Sequence, residues 1–457
     1  MDTFRINEKD NVCVDLKTGH KIALENISKG EDIIKYGFPI GVATDNIALG
    51  EKVHTENMKT KLSDILHYEY TPNSNELTPT PAFEIEAFVR KNGDIGIRND
   101  IWIIPTVGCV NGVGKVLAEK TGALYFSHPY GCSQLGDDMT ITQLILKGLI
   151  THPNAGGVLV LGLGCENNNI AEMKKILGCY DAGRIRFLNI QDVENEMEEG
   201  IKILEEIKKI TSEDKREKVS ANRLKIGLKC GGSDGFSGIT ANAVVGKVTD
   251  VLCSMGATAV LTEVPEMFGA EALLFERCIN EDVFKKSVSL INNFKEYFKN
   301  HGQPVSENPS PGNKEGGITT LEEKSLGCVQ KGGTSPVVDV LDYGDTLTKT
   351  GLNLLNGPGN DIVSTTNMSA CGCHLILFTT GRGTPLGSAV PTIKIASNDA
   401  LANKKPHWID FNAYGFNTEE KAEALLEIIK QVANGKETQN EKYGCREIAI
   451  FKDGVTL

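Results

Sequence analysis

The segment GVLVLGL at residues 157–163 decides the fold of this chain. It is a continuous apolar run that leads into a glycine-containing turn, and a helix is predicted directly after it at 169–177. Apolar strands that alternate with helices are typical of a parallel sheet with both faces covered. The same alternation surrounds this segment, with strands predicted at 101–107, 123–127 and 184–190 and helices at 111–120, 138–149 and 192–210. An α/β domain is therefore predicted here.

The alternation restarts after the charged stretch TSEDKREKVSAN at 211–222, which is predicted to be a solvated boundary. Upstream, residues 1–68 contain short apolar runs separated by turn signals, which indicates a small β domain. Residues 69–83 are rich in Pro, Thr and Asn and have linker composition. We therefore predict an α/β chain made of a small β domain at 1–68, a linker at 69–83, and two α/β domains with parallel sheets at 84–220 and 221–457.

The composition excludes several classes of protein. The chain has 457 residues, 48 Lys and Arg against 60 Asp and Glu, and a net charge of −12. This acidic balance argues against nucleic-acid partners and against binding to anionic lipid. No apolar run is long enough to span a bilayer, and the N-terminus has no secretory signal, so a cytoplasmic protein is expected. The 12 cysteines are then expected to be reduced thiols.

Cysteines beside glycines follow several predicted strands, at the edge where open parallel sheets bind ligands. Cys132, Cys165 and Cys230 are the strongest candidates, and thiolates suit iron–sulfur or zinc sites. The alternative is that all three are ordinary turn residues. The chain has no C-x-x-C pair, which disfavours a structural zinc site. Cys109 is a weaker candidate of the same kind, and Cys371 to His374 (CGCH) is interpreted as packing.

Charged and polar residues at other strand ends are candidates for the chemistry. Asp234, Glu263 and Glu266 could hold a cation or act as a general base, or could be a helix cap and surface charges. Arg382 between two glycines could bind a substrate carboxylate or form a salt bridge. Lys314, in a Gly/Pro-rich loop, is a candidate base or carboxylate anchor. The histidines considered are His20, His54 and His128.

Seven segments of the main body resemble the altronate/galactarate dehydratase family. They are VRKNGDIGIRNDIWIIPTVGCVN (89–111), GCSQLGDD (131–138), LGLGCENN (161–168), LKCGGSDGFSGITAN (228–242), TEVPEMFGAE (262–271), NPSPGNKEGGITTLEEKSLG (308–327) and FTTGRGTP (378–385). The stretch at 19–57 resembles the β-clip (SAF-type) domain of that family. The resemblance covers nearly the whole chain in order. Glu56 and Tyr130 stand where the family often has His.

The resemblance implies a hydro-lyase that dehydrates a sugar acid to a 2-keto-3-deoxy acid. It implies iron, as Fe(II) or an iron–sulfur cluster, with manganese as a substitute. It also implies a central domain that helps to form a homodimer and a Rossmann-like C-terminal domain. The family includes a sulfo-lyase branch acting on sulfolactate, in which the β-clip and the main body can be separate chains.

Combining the motifs with the resemblance gives a set of expected roles. Metal ligands would come from Cys132, Cys165, Cys230, Asp234 and Glu263. The expected catalytic residues are His128, Glu266, Lys314, Arg382, His54 and His20. Of these, His20 and His54 would close over the site from the β-clip domain. Substrate would be held by Gly231, Gly232, Ser233, Arg382 and Thr384.

Two other classes of function stay open at this point. An NAD-dependent oxidoreductase is suggested only by the α/β pattern. The Gly162-x-Gly164 pair has Asn167 where a dinucleotide loop needs its third glycine, which argues against it. A non-catalytic sensor of sugar acids is the third class.

Overall fold

The computed structural model describes residues 2–62, 67–73 and 77–455. Its N-terminal unit contains two antiparallel sheets, with strand orders β1-β2-β3-β6 and β4-β5-β7. The strands are β1 (Thr3–Phe4), β2 (Val12–Asp15), β3 (Lys21–Ala23), β4 (Asp32–Lys35), β5 (Phe38–Ala43), β6 (Lys52–Val53) and β7 (Met58–Lys59). The small N-terminal β unit is therefore confirmed.

The central unit is built on a parallel sheet of order β11-β10-β12-β13. Every residue of β12 is buried, as its continuous apolar sequence predicted. The elements are β8 (Glu84–Val89), β9 (Ile95–Gly96), β10 (Asp100–Pro105), α1 (Asn111–Thr121), β11 (Leu124–Tyr125), α2 (Gly136–Ile150), β12 (Ala155–Gly162), α3 (Ile170–Leu177), β13 (Ile185–Asn189), α4 (Glu196–Thr211) and β14 (Glu217–Ser220).

The predicted boundary at 211–222 is not only a solvated connection. It contains β14, which pairs antiparallel with β8 in a three-stranded sheet, β14-β8-β9. The side chains of β14 stay partly or fully exposed, so its sequence has no apolar strand signal, and backbone hydrogen bonds define the strand.

The C-terminal unit holds a parallel seven-stranded sheet of order β17-β18-β16-β15-β19-β20-β21. Its elements are β15 (Lys225–Cys230), α5 (Ala241–Ser254), β16 (Thr258–Leu261), α6 (Glu271–Phe275), α7 (Glu281–Asn300), α8 (Pro311–Glu315), α9 (Leu321–Cys328), β17 (Val337–Leu341), β18 (Gly351–Leu355), α10 (Asp361–Ala370), β19 (Leu375–Thr380), β20 (Thr392–Ala396), α11 (Asp399–Lys404), β21 (Phe411–Asn412), α12 (Thr418–Ala433) and α13 (Gln439–Lys442). The predicted α/β class is confirmed. The strand order reverses between β15 and β19, and this switch point is where open sheets of this kind bind ligands.

The N-terminal unit docks on α9 through buried charges. Glu323 accepts hydrogen bonds from Lys21 at 2.7 Å and from Lys35 at 2.8 Å, and all three side chains are buried. Lys21 also donates to the carbonyl of Gly317 at 2.9 Å. Two lysines of the β unit thus share one glutamate of the C-terminal unit. In the part of the chain that the structure describes, no helix is both long and apolar enough to cross a membrane.

The central and C-terminal units share one apolar core. A hydrogen bond from His152 also joins them. The His152 Nε2–H donates to the carbonyl of Cys373 at 3.1 Å, and its Nδ1 accepts from the amide of Asn154 at 3.0 Å. Burial lowers the pKa of His152 to about 3. The imidazole is therefore neutral in the folded protein.

We expect the free energy of unfolding to fall between pH 7.5 and pH 5.5, by about 1.4 kcal/mol through His152 alone. The unfolded imidazole, with an ordinary pKa near 6.5, binds a proton that the folded one does not, so stability is lost as the pH falls. Urea unfolding at the two pH values, on the wild type and on His152→Gln, measures this share. Equal pH dependence in both proteins would contradict it.

Candidate metal centre and substrate pocket

Three ligating side chains meet at the switch point of the large sheet. Cys230 ends β15, Glu266 lies in the short turn of helix Val264–Glu266 after β16, and Cys328 ends α9. The two sulfurs are 3.3 Å apart, and Glu266 Oε2 lies 2.9 Å from Cys230 Sγ and 3.0 Å from Cys328 Sγ. All three residues are buried. Among the described residues, this is the group of three whose ligand atoms all lie within 4.8 Å of one another.

The donor set fits a metal ion. Two thiolates and one carboxylate are ligands that iron and zinc accept, and three protein ligands leave a position for substrate or water. In the absence of a metal ion, the hydrogen bond with Cys230 and burial both raise the pKa of the Cys328 thiol. A bound cation would reverse this, because metal-bound thiols are deprotonated. The cluster is therefore a candidate metal centre.

Buried lysines surround this centre. Lys324 Nζ lies 2.9 Å from Glu266 Oε1, and Lys331 Nζ lies 3.4 Å from Glu263 Oε2. Burial opposes ionisation of Glu266, but Lys324 and the other lysines outweigh it and hold the pKa of that carboxyl well below its usual range. Lys229 forms an ion pair with Glu263, and both side chains are buried. The lysines thus offset the negative charge of Glu263 and Glu266 around the centre.

Glu263 lies beside the centre and contacts the backbone of Cys230. Its backbone is in the left-handed region, with φ of 70°. This conformation is uncommon for a residue with a side chain and is found at functional sites. Glu263 Oε2 accepts from the backbone amide of Cys230 at 3.0 Å. The predicted metal ligand Glu263 is thus placed beside the centre, bonded to lysines and to the Cys230 backbone.

An open pocket of about 500 Å³ leads to the centre. Lys324 is a buried residue of its lining, and its ammonium group also contacts the side-chain oxygens of Asn308 at 3.0 Å and Asn313 at 3.2 Å. Asp361, the first residue of α10, also lines the pocket and accepts from Lys229 Nζ at 2.7 Å. The complete lining is Cys230, Gly231, Gly232, Glu266, Asn308, Ser310, Asn313, Lys324, Gly359, Asn360, Asp361, Ile362, Leu386 and Glu447.

The structure brings part of the predicted set to this pocket. Cys230, Glu266, Gly231 and Gly232 line it. Ser233 follows directly, and its carbonyl accepts from Asn313 Nδ2 at 2.8 Å. The functional roles of these residues stay predictions.

Asp234, Arg382 and Thr384 are engaged in contacts between loops. Arg382 forms an exposed ion pair with Glu315 at 2.9 Å. The carbonyl of Thr384 accepts from Lys394 at 3.0 Å. The Asp234 carboxylate accepts hydrogen bonds at 2.8 Å from the side chains of Ser237, Ser397 and Asn398. The ion pair fits the salt-bridge alternative for Arg382, whereas the following helix α5 has Thr240 and not Asp234 at its N-cap. Catalytic or binding roles for all three residues stay predictions.

The predicted histidines occupy two different places. His54 Nε2–H donates to the carbonyl of Lys314 at 2.9 Å, and the His20 and His54 rings are 5.2 Å apart. The β unit therefore contacts α8, which carries Lys314, and the expected role of His20 and His54 in closing over the site stays a prediction. His128 is buried in the central unit, where Nε2–H donates to the carbonyl of Pro105 at 2.8 Å. Burial lowers the pKa of His128 to about 4, so it is neutral at pH 7.

Cys132 and Cys165 belong to a different sheet from Cys230. They follow strands of the central sheet, whereas Cys230 ends a strand of the large one. Both are exposed, while Cys230 is buried. Their predicted role as ligands stays a prediction.

Sequence reasoning missed Cys328 and Lys324. Both lie on α9 and not at the end of a strand. One signal was present, since Gly327-Cys328 repeats the Gly-Cys pair seen at Cys132 and Cys165. All of α9 is buried although it carries Glu322, Glu323 and Lys324. Buried charges are rare without a partner or a function.

Comparison with known proteins assigns the family. Residues 2–61 match the altronate/galactarate dehydratase SAF domain, and residues 87–212 match the D-galactarate dehydratase/altronate hydrolase second domain. Residues 221–456 match the D-galactarate/altronate dehydratase C-terminal domain.

Full-length relatives agree with these matches. The chain is 54% identical to altronate dehydratase of Bacillus subtilis (strain 168), covering 97% of this chain and 93% of that one. It is 52% identical to altronate dehydratase of Escherichia coli (strain K12), covering 99% and 94%. It is 33% identical to the galactarate dehydratase (L-threo-forming) of the same strain, covering 95% and 89%. The chain therefore belongs to the altronate/galactarate dehydratase family, and it is an enzyme of the hydro-lyase class.

Proposed function

We propose that this protein removes water from altronate and gives the corresponding 2-keto-3-deoxy acid. The observation that carries the proposal is the buried group of Cys230, Glu266 and Cys328 at the end of a pocket with a lysine beside it. Altronate is preferred over galactarate because identity is 54% and 52% to two altronate dehydratases and 33% to a galactarate dehydratase.

We assign iron, as Fe(II), to the ligands Cys230, Glu266 and Cys328. When bound there, the ion supplies Lewis-acid chemistry that helps a hydroxyl to leave. Manganese remains the substitute to test. The twelve free cysteines of the chain fit the reducing conditions of the cytoplasm, where we place the protein. On the family resemblance alone we propose a homodimer formed through the central domain.

Lys324 is proposed to hold the substrate carboxylate. Lys324 lines the pocket, and its ammonium group contacts the side chains of Asn308 and Asn313, which line it too. An anionic substrate entering a chain of net charge −12 needs such a local cation. The backbone of Gly231 and Gly232 allows close approach, since glycine has no side chain in the way.

Asp361 is proposed to accept the proton from C2 of the acid. Its carboxylate lines the pocket and stays partly exposed, while Lys229 Nζ holds its Oδ1 at 2.7 Å. The C2–H bond breaks with transfer of the proton to Asp361, the C3–O bond breaks, and the leaving hydroxide takes that proton from Asp361 to depart as water. The resulting enol becomes the 2-keto acid by losing its hydroxyl proton and gaining a proton at C3. A positioned base contributes typically about 10²–10⁴-fold to such a step.

The test is a keto-acid assay on protein purified without oxygen, with Fe(II) and a reductant. Altronate is expected to give keto acid with at least tenfold higher kcat/KM than galactarate. Sulfolactate is included, since release of sulfite would assign the sulfo-lyase alternative. A change in absorbance at about 340 nm with NAD would indicate the oxidoreductase, and keto acid from neither sugar acid would end the proposal.

A further inference from the structure

The charged residues that line the substrate pocket are unevenly paired. Four of the lining residues carry charge, namely Glu266, Lys324, Asp361 and Glu447. Glu266 lies 2.9 Å from the ammonium group of Lys324, and Asp361 lies 2.7 Å from that of Lys229. Glu447 is exposed, and no described residue forms a hydrogen bond or an ion pair with its carboxylate. Within the described chain, Glu447 is therefore the pocket carboxylate without a counter-charge.

The backbone of Glu447 is attached to a loop that also lines the pocket. Its amide donates to the carbonyl of Gly387 at 3.0 Å, and the preceding residue of that loop, Leu386, is part of the lining. The two segments are in close contact, because a Cβ added to Gly387 would lie 1.9 Å from the carbonyl of Cys445. The pocket wall and the segment that carries Glu447 are thus packed together.

The residues on either side anchor the same segment. Arg446 donates to the carboxylate of Asp100 at 3.1 Å. Ile448 is buried in the apolar core that the central and C-terminal units share, and the amide of Ala449 donates to the hydroxyl of Thr366 at 2.9 Å. The free carboxylate is therefore carried by a fixed backbone, as a group that discriminates between ligands requires.

The two candidate sugar acids differ in charge at one end. Altronate has a carboxylate at C1 and a hydroxyl at C6, whereas galactarate has a carboxylate at both ends. Among the described residues of the lining, Lys324 is the single cation, and the first carboxylate is proposed to occupy it. A second carboxylate would meet the unpaired charge of Glu447, and like charges brought together cost free energy. A hydroxyl can instead donate a hydrogen bond to that carboxylate.

We propose that Glu447 is a specificity-determining residue. Its carboxylate accepts a hydrogen bond from the terminal hydroxyl of the substrate and repels an acid that carries a second carboxylate. An unfavourable contact with the wrong ligand is a general route to specificity. This role rests on the proposed dehydration of altronate in the same pocket. The substrate class is then sugar acids with a single carboxylate.

The test compares Glu447→Gln and Glu447→Lys with the wild type, as whole protein purified without oxygen and loaded with Fe(II). The measured quantity is the ratio of kcat/KM for galactarate to kcat/KM for altronate. Glu447→Gln removes the repulsion and is expected to raise this ratio by about tenfold. Glu447→Lys also supplies a cation for the second carboxylate and is expected to raise it by about 100-fold. High salt should raise the ratio of the wild type more than that of Glu447→Gln, since salt screens exposed charges.

Glu437 offers a matched control. It is exposed, lies ten residues upstream of Glu447 and is not part of the pocket lining. Glu437→Gln removes the same charge from the chain and is expected to leave the ratio unchanged. Because the carboxylate of Glu447 has no partner in the described chain, its variants should unfold at the urea midpoint of the wild type.

The outcomes separate this role from the proposed function. Altronate turnover by the wild type, with an unchanged ratio in both Glu447 variants, would overturn the role and leave the proposed function standing. Calorimetric binding of each acid to the same Fe(II)-loaded proteins repeats the comparison without turnover. If neither acid is turned over, the proposed function fails. Tighter binding of galactarate by Glu447→Lys than by the wild type would then still support the role, and equal binding would overturn it.

Discussion

Replacing Glu266 by Gln or Cys328 by Ser is expected to lower kcat for dehydration by about 10³-fold or more and to remove the metal bound at this centre. Each change deletes one of three ligands that lie within 4.8 Å of one another. Lewis-acid assistance of several kcal/mol corresponds to about this loss of rate. Metal content after gel filtration and kcat at saturating substrate are the two measurements.

The chain offers a matched control for the cysteine change. Cys371 and Cys373 are a second buried pair, with sulfurs 3.8 Å apart, but no carboxylate completes a ligand group there in the described structure. Both cysteines lie in the apolar core that the central and C-terminal units share, as expected if the CGCH segment serves packing. Cys371→Ser should keep the metal and most of the activity. If Cys328→Ser keeps both as well, the centre is not the metal site.

Replacing Glu323 by Gln is expected to destabilise the protein by about 3–5 kcal/mol. The change removes the carboxylate that Lys21 and Lys35 share and leaves two lysines buried in the interface without their counter-charge. The carboxylate is strongly stabilised in the folded protein, since the two lysines overcome burial and hold the pKa of Glu323 well below its usual range. The midpoint and slope of urea unfolding measure the effect.

An apolar replacement of the whole group is the control. Lys21→Met, Lys35→Met and Glu323→Leu together remove every charge, and buried ion pairs replaced by apolar residues of similar volume often lose little stability. The triple variant should therefore be more stable than Glu323→Gln alone. A loss below about 1 kcal/mol for the single variant would show that these lysines find other partners or water.

The sequence predicted the fold where local pattern is decisive. The run at 157–163 is buried from Gly157 to Gly162, as its apolar composition predicted. It did not predict β14, because that strand is exposed and is defined by its pairing with β8. Local composition carries no information on such pairing.

The sequence predicted only those residues of the site that follow strands. Cys230 and Glu266 were identified because each follows a strand of the large sheet. Cys328 comes from a helix and is 98 residues from Cys230 in sequence, so only the tertiary fold brings their sulfurs together. Lys324 is on the same helix, and its position beside Glu266 depends on how α9 packs across the sheet.

Contacts made by the linker also hold the β unit against the C-terminal unit. Tyr70 donates to the carbonyl of Cys278 at 2.8 Å, and the amide of Thr80 donates to the carbonyl of Ser254 at 3.1 Å. The connection is thus fastened along the C-terminal unit at both ends. Such a tether keeps the β unit at an effective concentration of about millimolar or higher. A substitution that weakens the docking surface would therefore lower the free energy of unfolding. The linker would still keep the β unit close to the C-terminal unit.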